Sequence, residues 1–256
     1  MKVGLLNDKN KIKDVVFLIA KVFFKGDLEK LIIQNKILSN NNIIIVENDN
    51  NKIVGTSIII DREIFFNGNL IKASFISFVC VDEKYRGLGL SRDLINCFIY
   101  ECKKRNSIIS VVVARKLVDN FYKKFNFYGI SQYSKIKINL DANFGNQKFE
   151  FVDLKQKYYK KINSIYNSTY SKTHGAFKRD LEYWFYVEKK ASSLGLKSIA
   201  IINKKLLKGY IIYDKNNIYE IALDDNINYI DVLCRLSFLK KINKDITVHC
   251  SLEHPI

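Results

Sequence analysis

Apolar positions along the chain alternate between short strand-like runs and longer stretches of helical period. Phe75 to Val81 is an unbroken apolar run rich in β-branched and aromatic residues, and it predicts a buried strand. Beyond it Leu94, Ile95, Cys97, Phe98 and Cys102 recur at helical spacing. Arg92, Asn96, Lys103 and Arg105 fall among the polar positions, which predicts an amphipathic helix over 91–105. A further strand is predicted at Ile108 to Ala114. Upstream lie a short strand, Ile43 to Val46, and the stretch "NNKIVGTSIII" (Asn50 to Ile60), a turn followed by apolar residues around one glycine. Helical regions are predicted before them at Asp8 to Phe24 and Leu28 to Ile37.

The same succession returns in the second half. Helical regions at Lys155 to Tyr170 and Lys178 to Lys190 precede a strand at Ile199 to Ile202, then "NKKLLKGYIIY" (Asn203 to Tyr213). A strand (Ile218 to Leu223), a helix (about Tyr229 to Lys240) and a last strand (Ile246 to Cys250) complete it. One α/β unit with a mixed sheet is therefore used twice. "DANFGNQ" (Asp141 to Gln147) interrupts the pattern with turn formers, which sets the expected domains at 1–140 and 141–256.

Composition narrows the class. The 256 residues are 48% hydrophobic, which suits a folded chain with room for two cores. No apolar run approaches the ~20 residues that cross a bilayer, and Val15 to Ala20 is too short for a signal peptide's core. Five cysteines (Cys80, Cys97, Cys102, Cys234, Cys250) form no CxxC pair, so neither a disulfide framework nor a zinc site is expected. A reduced, cytoplasmic protein without a metal is the expectation, and a homo-oligomer is compatible with it. The formal charge of +16 is spread over both halves, with no basic arm and no RNA-binding aromatic motif. A nucleic-acid partner is therefore the minor reading; the excess also suits a polyanionic cofactor.

The stretch "VCVDEKYRGLGLSRDLI" (Val79 to Ile95) carries the candidate chemistry. It sets Arg86, Gly87 and Gly89 at the handover from strand to helix, where unpaired amides and a partial positive charge suit phosphate oxygens. The glycines would let backbone approach a pyrophosphate, and Arg86, with Lys84 or Arg92, would add charge. A glycine-containing connector beside a solvated basic face is the alternative, and spacing alone leaves both open. A dinucleotide fingerprint fails because its third glycine would fall at Arg92, and a P-loop fails for want of Gly-Lys-Ser/Thr. At the corresponding place the second half has "LDDNINY" (Leu223 to Tyr229). It lacks a glycine, and Asp224 and Asp225 would repel phosphate.

"VCVDEKYRGLGLS" resembles the acetyl-CoA-binding signature of the GCN5-related N-acetyltransferases (GNATs), Arg/Gln-x-x-Gly-x-Gly/Ala, with Arg86, Gly87, Gly89 and Ser91 at its positions. "DNFYKKFNFYG" (Asp119 to Gly129) resembles the family's second signature. Tyr122 falls on the tyrosine that often protonates the departing CoA thiolate, and Asn126 stands where the family usually has glycine. "HGAFKRDLEYW" and "GYIIYDKNNIYEIALDD" are similar to the degenerate second domain of the tandem Eis-type acetyltransferases. Those proteins continue into a sterol-carrier-like third domain whose terminal carboxylate can help deprotonate the amine. The sequence ends at Ile256, and the expectation is a tandem form lacking that domain.

The resemblance implies two tandem GNAT-like acyl-CoA N-acyltransferase domains, the first of them catalytic. It implies an acetyl-CoA-dependent transfer to a primary amine of a small molecule by direct attack. Backbone of Val79, Cys80 and Val81 would hold the pantetheine and polarise the thioester. Arg86, Gly87, Leu88, Gly89, Leu90 and Ser91 would hold the pyrophosphate, and Tyr122 would be the acid. Beside the catalytic reading for Tyr122 stands plain core packing with Phe121, Phe125 and Phe127. Beside the enzyme stands an idle acyl-CoA-binding or regulatory protein of the same fold. No base is legible: the run Ala73 to Val81 has no Glu or His, and Asp27 and Glu29 suit helix capping better. The three histidines (His174, His249, His254) lack metal spacing and read as structural, as does a buried Cys80.

Overall fold

A computed structural model describes residues 1–26, 42–113, 119–129, 133–140, 148–251 and 253–256. The expected helix at 28–37, Asp27, Glu29 and the stretch 141–147 lie outside the described residues. By their contacts the residues form two compact units, one of 1–63 with 71–128 and one of 64–70 with 129–256. Among the described residues, no helix is long and apolar enough to cross a membrane.

The first unit holds a five-stranded sheet, β1 (Lys2–Leu5), β2 (Ile43–Glu47), β3 (Ile53–Phe66), β4 (Asn69–Val81) and β5 (Ile109–Val112), in that order. β1 with β2 and β2 with β3 run antiparallel, and β4 with β5 runs parallel. The turn joining β3 to β4 has Asn67 and Gly68 both at positive φ, which matches the twist of a two-residue hairpin. α1 (Ile12–Phe23) buries Val15, Leu18, Ile19 and Ala20 on one face of the sheet, in a core that includes Cys80. α2 (Leu90–Lys104) buries Leu94, Ile95, Phe98 and Cys102 on the other, while Cys97 is only half-buried. α3 (Asp119–Lys123) sets Phe121 and Tyr122 against that second core. The two helices thus cover opposite faces, as a sheet that is apolar throughout requires.

The second unit repeats the plan. α4 (Tyr159–Tyr170), α5 (Leu181–Ser193) and α6 (Tyr229–Phe238) accompany six strands. These are β6 (Tyr133–Asn139), β7 (Glu150–Asp153), β8 (Lys197–Asn203), β9 (Leu206–Tyr213), β10 (Asn217–Leu223) and β11 (Asp245–Ser251). Their order is β6-β11-β10-β9-β8-β7. β6 lies before residue 140 in sequence but pairs along its whole length with β11, from Tyr133↔Ser251 to Asn139↔Asp245. Trp184 is fully buried, with its indole N–H donated to Asn163 at 2.9 Å.

Two glycines register one unit on the other. A Cβ on Gly55 would meet Val46 Cγ2 at 3.1 Å and the Cys80 carbonyl at 3.5 Å; one on Gly209 would meet the Ala222 carbonyl at 2.4 Å. Asp82 N–H donates to the Val54 carbonyl and Asp224 N–H to the Lys208 carbonyl, each at 2.8 Å. Val79–Val81 and Ile221–Leu223 are therefore equivalent, and Phe78 corresponds to Glu220.

In the second unit that equivalent strand is internally occupied. β10 pairs with β11 only at Asn217↔Thr247 and Ile218↔Val248. Past this point the Ile221 carbonyl accepts from the Tyr170 hydroxyl at 3.2 Å and from His254 Nε2 at 2.9 Å. Leu223 N–H donates to the Tyr229 hydroxyl at 3.4 Å. The Asn228 side chain caps α6 by accepting from the amides of Ile230 and Asp231. Asp224 sits within reach of Lys208 and Lys161, at 3.2 and 3.5 Å.

Two outcomes are expected. Gly209→Ala forces backbone apart, since Ala222 O and Leu223 Cα both stand in the way, so it should cost about 1–3 kcal/mol in urea unfolding. Gly55→Ala should cost less, because the nearest atom there is a side-chain methyl. Burial lowers the pKa of His254 below its usual 6.5, and His249 is lowered by burial and then by Lys135. Below 6.5 the unfolded chain takes up these protons more readily than the fold, so stability is full above that pH and declines on acidification. Thermal melts at about pH 7.5 and about pH 5.5 should show the drop, and His254→Gln should make it smaller.

Candidate acyl-CoA site

Parallel pairing of β4 with β5 runs from Ala73↔Ile109 to Ile76↔Val112 and goes no further among the described residues. Two residues later Phe78 takes φ 50, a left-handed conformation rare for a bulky side chain. Outside the sheet ladder, no described residue hydrogen-bonds the backbone of Val79, Cys80 or Val81. Buried backbone rarely stays unpaired, so this slot has the character of a place for a ligand with amide groups.

Side chains along the slot alternate between faces. Val79 and Val81 join the core under α2, together with Leu90, Tyr85 and Tyr122. Cys80 points the other way, toward α1, where burial pushes its thiol up to about 12. Cys80 can offer a ligand its backbone and no reactive sulfur.

A short 3-10 turn, Glu83–Tyr85, follows β4, with Asp82 capping it and pairing with Lys21 at 3.0 Å. Arg86 is extended and exposed. Gly87 and Gly89 have φ 84 and φ 78, and Gly89 is the N-cap of α2 with no side chain closing the helix end. The amides of Gly87, Leu88, Gly89, Leu90 and Ser91 donate to no described residue. Leu88 is 60% exposed and Leu90 is buried, so Leu90 anchors the loop while the rest faces out. A Cβ at Gly87 would meet nothing within 4 Å, which leaves open space before the amides, and the Arg92 guanidinium lies 3.4 Å from a Cβ placed on Gly89. Free amides, a helix dipole and two guanidinium groups fit the phosphates of an acyl-CoA. The equivalent end of α6 is capped by Asn228 and flanked by Asp224, and offers no such cradle.

Tyr122 is half-buried, edge-on to Phe121 and Phe127 at 5.3 and 6.1 Å. Burial raises its pKa above the usual 10, so the phenol keeps its proton at neutral pH. No described residue hydrogen-bonds its hydroxyl. Asn126 turns the chain after α3 with φ 61, the left-handed angle its side chain tolerates. The three histidines all have protein partners: His174 contacts Glu253 and Asn67, His249 stacks on Tyr219, and His254 bonds Ile221. Sequence reasoning missed Phe78, whose left-handed φ of 50 stands just before the slot. Nothing in an apolar run marks one residue for a left-handed angle.

Residues 7–130 match the model of the acetyltransferase (GNAT) domain. No curated protein matches the chain at the level of sequence. Among solved structures, the chain is similar to a probable N-acyltransferase of Enterococcus faecalis, with TM-score 0.81 and 13% identity over 98% of this chain and 65% of that one. A GCN5-related N-acetyltransferase of Anabaena variabilis aligns with TM-score 0.74 and 18% identity, over 99% and 66%. Eis1 of Mycobacterium abscessus aligns with TM-score 0.68 and 13% identity, over 100% and 67%. The chain thus spans less than two thirds of the first two relatives' own length, and likeness at such identity is likeness of fold. Residues 7–130 match the GNAT acetyltransferase domain, and the chain as a whole has the mixed α/β fold of the solved structures it resembles.

Proposed function

We propose that the protein is an acetyl-CoA-dependent N-acetyltransferase acting on a primary amine of a small molecule, by direct attack and without an acyl-enzyme. The observation that carries this is the β4 slot, whose backbone has no described hydrogen-bond partner outside the sheet ladder in the first unit and meets Tyr170, His254 and Tyr229 in the second. In this reading the catalytic domain is 1–140, contributing β6 to the second sheet, and 141–256 is a partner domain that holds no cofactor. Backbone of Val79, Cys80 and Val81 hydrogen-bonds the pantetheine and polarises the thioester carbonyl. Amides from Gly87 to Ser91, with Arg86, hold the pyrophosphate. Tyr122 gives its proton to the leaving sulfur. The excess of positive charge serves this anionic donor in preference to nucleic acid, in a reduced, cytoplasmic setting. An idle acyl-CoA binder draws its support from a β4 without Glu or His, and acetyl-CoA turnover over a broad amine panel separates the two.

Arg86→Glu puts a negative charge beside the pyrophosphate in a loop of donors. By calorimetry on folded protein it should weaken CoA binding far more than any change at Asp224 or Asp225. Equal affinity for Arg86→Glu and wild type would sink the loop assignment. Tyr122→Phe keeps ring packing and removes the proton, so kcat should fall by roughly 10²-fold or more with CoA affinity nearly unchanged. If the ring is only core, Tyr122→Phe should be near neutral for turnover, while Tyr122→Ala should still cost about 3–5 kcal/mol of stability.

A further inference from the structure

The register between the units sets Phe78 against Glu220, and the two positions have opposite chemistry. Glu220 accepts both Arg179 nitrogens, at 2.6 and 2.7 Å, and the Tyr210 hydroxyl, so its carboxylate is fully engaged. Phe78 instead meets two rings from the end of α1. Phe23 stands edge-on at 5.6 Å and Phe24 is tilted at 6.2 Å. Phe78 and Phe24 are half-buried, with Ile60 and Val22 in the same core, and Phe23 is 39% exposed. This aromatic surface lies on the α1 face of β4, opposite the face that carries Tyr122 and the α2 loop. Among the described residues, the basic residues at this end of α1 are Lys21 and, just after it, Lys25. The Asp82 carboxylate is already paired with Lys21 and accepts from the Lys84 amide, and Lys21 foremost holds it below the usual carboxylate range.

We propose that the acceptor is a monoamine on an apolar body, an arylalkyl or alkyl amine, whose body lies against Phe23, Phe24 and Phe78. The proposal rests on the N-acetyltransferase reading and names its substrate class. Packing of the apolar body against these rings takes the amine partly out of water, so the amine gives one proton to water and attacks as a neutral base, which suits a β4 without a carboxylate. Nitrogen then bonds the thioester carbonyl carbon, the C–S bond breaks, and Tyr122 protonates the thiolate. The nitrogen's remaining extra proton and the one that restores Tyr122 exchange with solvent. A polyamine such as an aminoglycoside has no comparable apolar body to set against the rings and gains little from burial there.

The test is release of free CoA thiol with phenethylamine, hexylamine and kanamycin as acceptors, for wild type and Phe23→Ser. Phe23 is exposed enough that the variant should fold, and a melt checks this. Wild type should prefer phenethylamine over kanamycin by at least about tenfold in kcat/KM. Phe23→Ser should raise the phenethylamine KM by about tenfold and leave acetyl-CoA affinity by calorimetry unchanged. Turnover that favours kanamycin, or an unaltered phenethylamine KM in Phe23→Ser, overturns the aromatic-surface inference and leaves the acetyltransferase reading standing. If calorimetry detects no acetyl-CoA binding and no amine is acetylated, both fall together.

Discussion

Among the described residues the parallel ladder between β4 and β5 runs no further than Ile76↔Val112, and the candidate site lies just beyond that point. On the near side of it polar contacts tie β4 to β3 and to the end of α2. Ser74 bonds Asp61 and Ser107, Arg105 pairs with Asp61 at 2.8 Å and reaches Asn42 at 2.9 Å, and Lys72 donates to the Arg105 carbonyl. On the far side Phe78 takes φ 50, and outside the sheet ladder no described residue hydrogen-bonds the backbone of Val79 to Val81.

Everything placed beyond the end of the ladder uses backbone in preference to side chains. Val79 to Val81 present amide groups, and the loop from Gly87 to Ser91 presents five more amides at a helix N-terminus. Side chains contribute position: Leu90 buries to hold the loop, and Val79 and Val81 anchor one face of the strand while Cys80 anchors the other.

The second unit is an internal control on this account. It shares the early end of parallel pairing, but its register shift falls between Ile218 and Glu220, and Glu220 lacks the positive φ of Phe78. Its strand carbonyl and amide are taken by Tyr170, His254 and Tyr229, and its helix end is capped by Asn228. Equivalent strand positions thus lack a described partner outside the ladder in one copy and form a closed seam in the other. The difference lies in four or five side chains.

Periodicity along the chain was enough for the alternation of strands and helices and for the doubling of the unit, because apolar spacing reports which face is buried. The loop from Arg86 to Ser91 was also legible, since glycines at positive φ before an amphipathic helix leave a local trace. The Ile-Lys alternation in Tyr133 to Asn139 and the Asn67–Gly68 turn are local signals too, but the reading of the sequence passed over both elements. Other features came only from tertiary structure. That β6 pairs with β11, that Phe78 corresponds to Glu220, and that His254 bonds the second unit's strand all depend on residues distant in sequence. Spacing records the face a residue turns to the core. It carries no record of which strand, ring or hydroxyl meets it there.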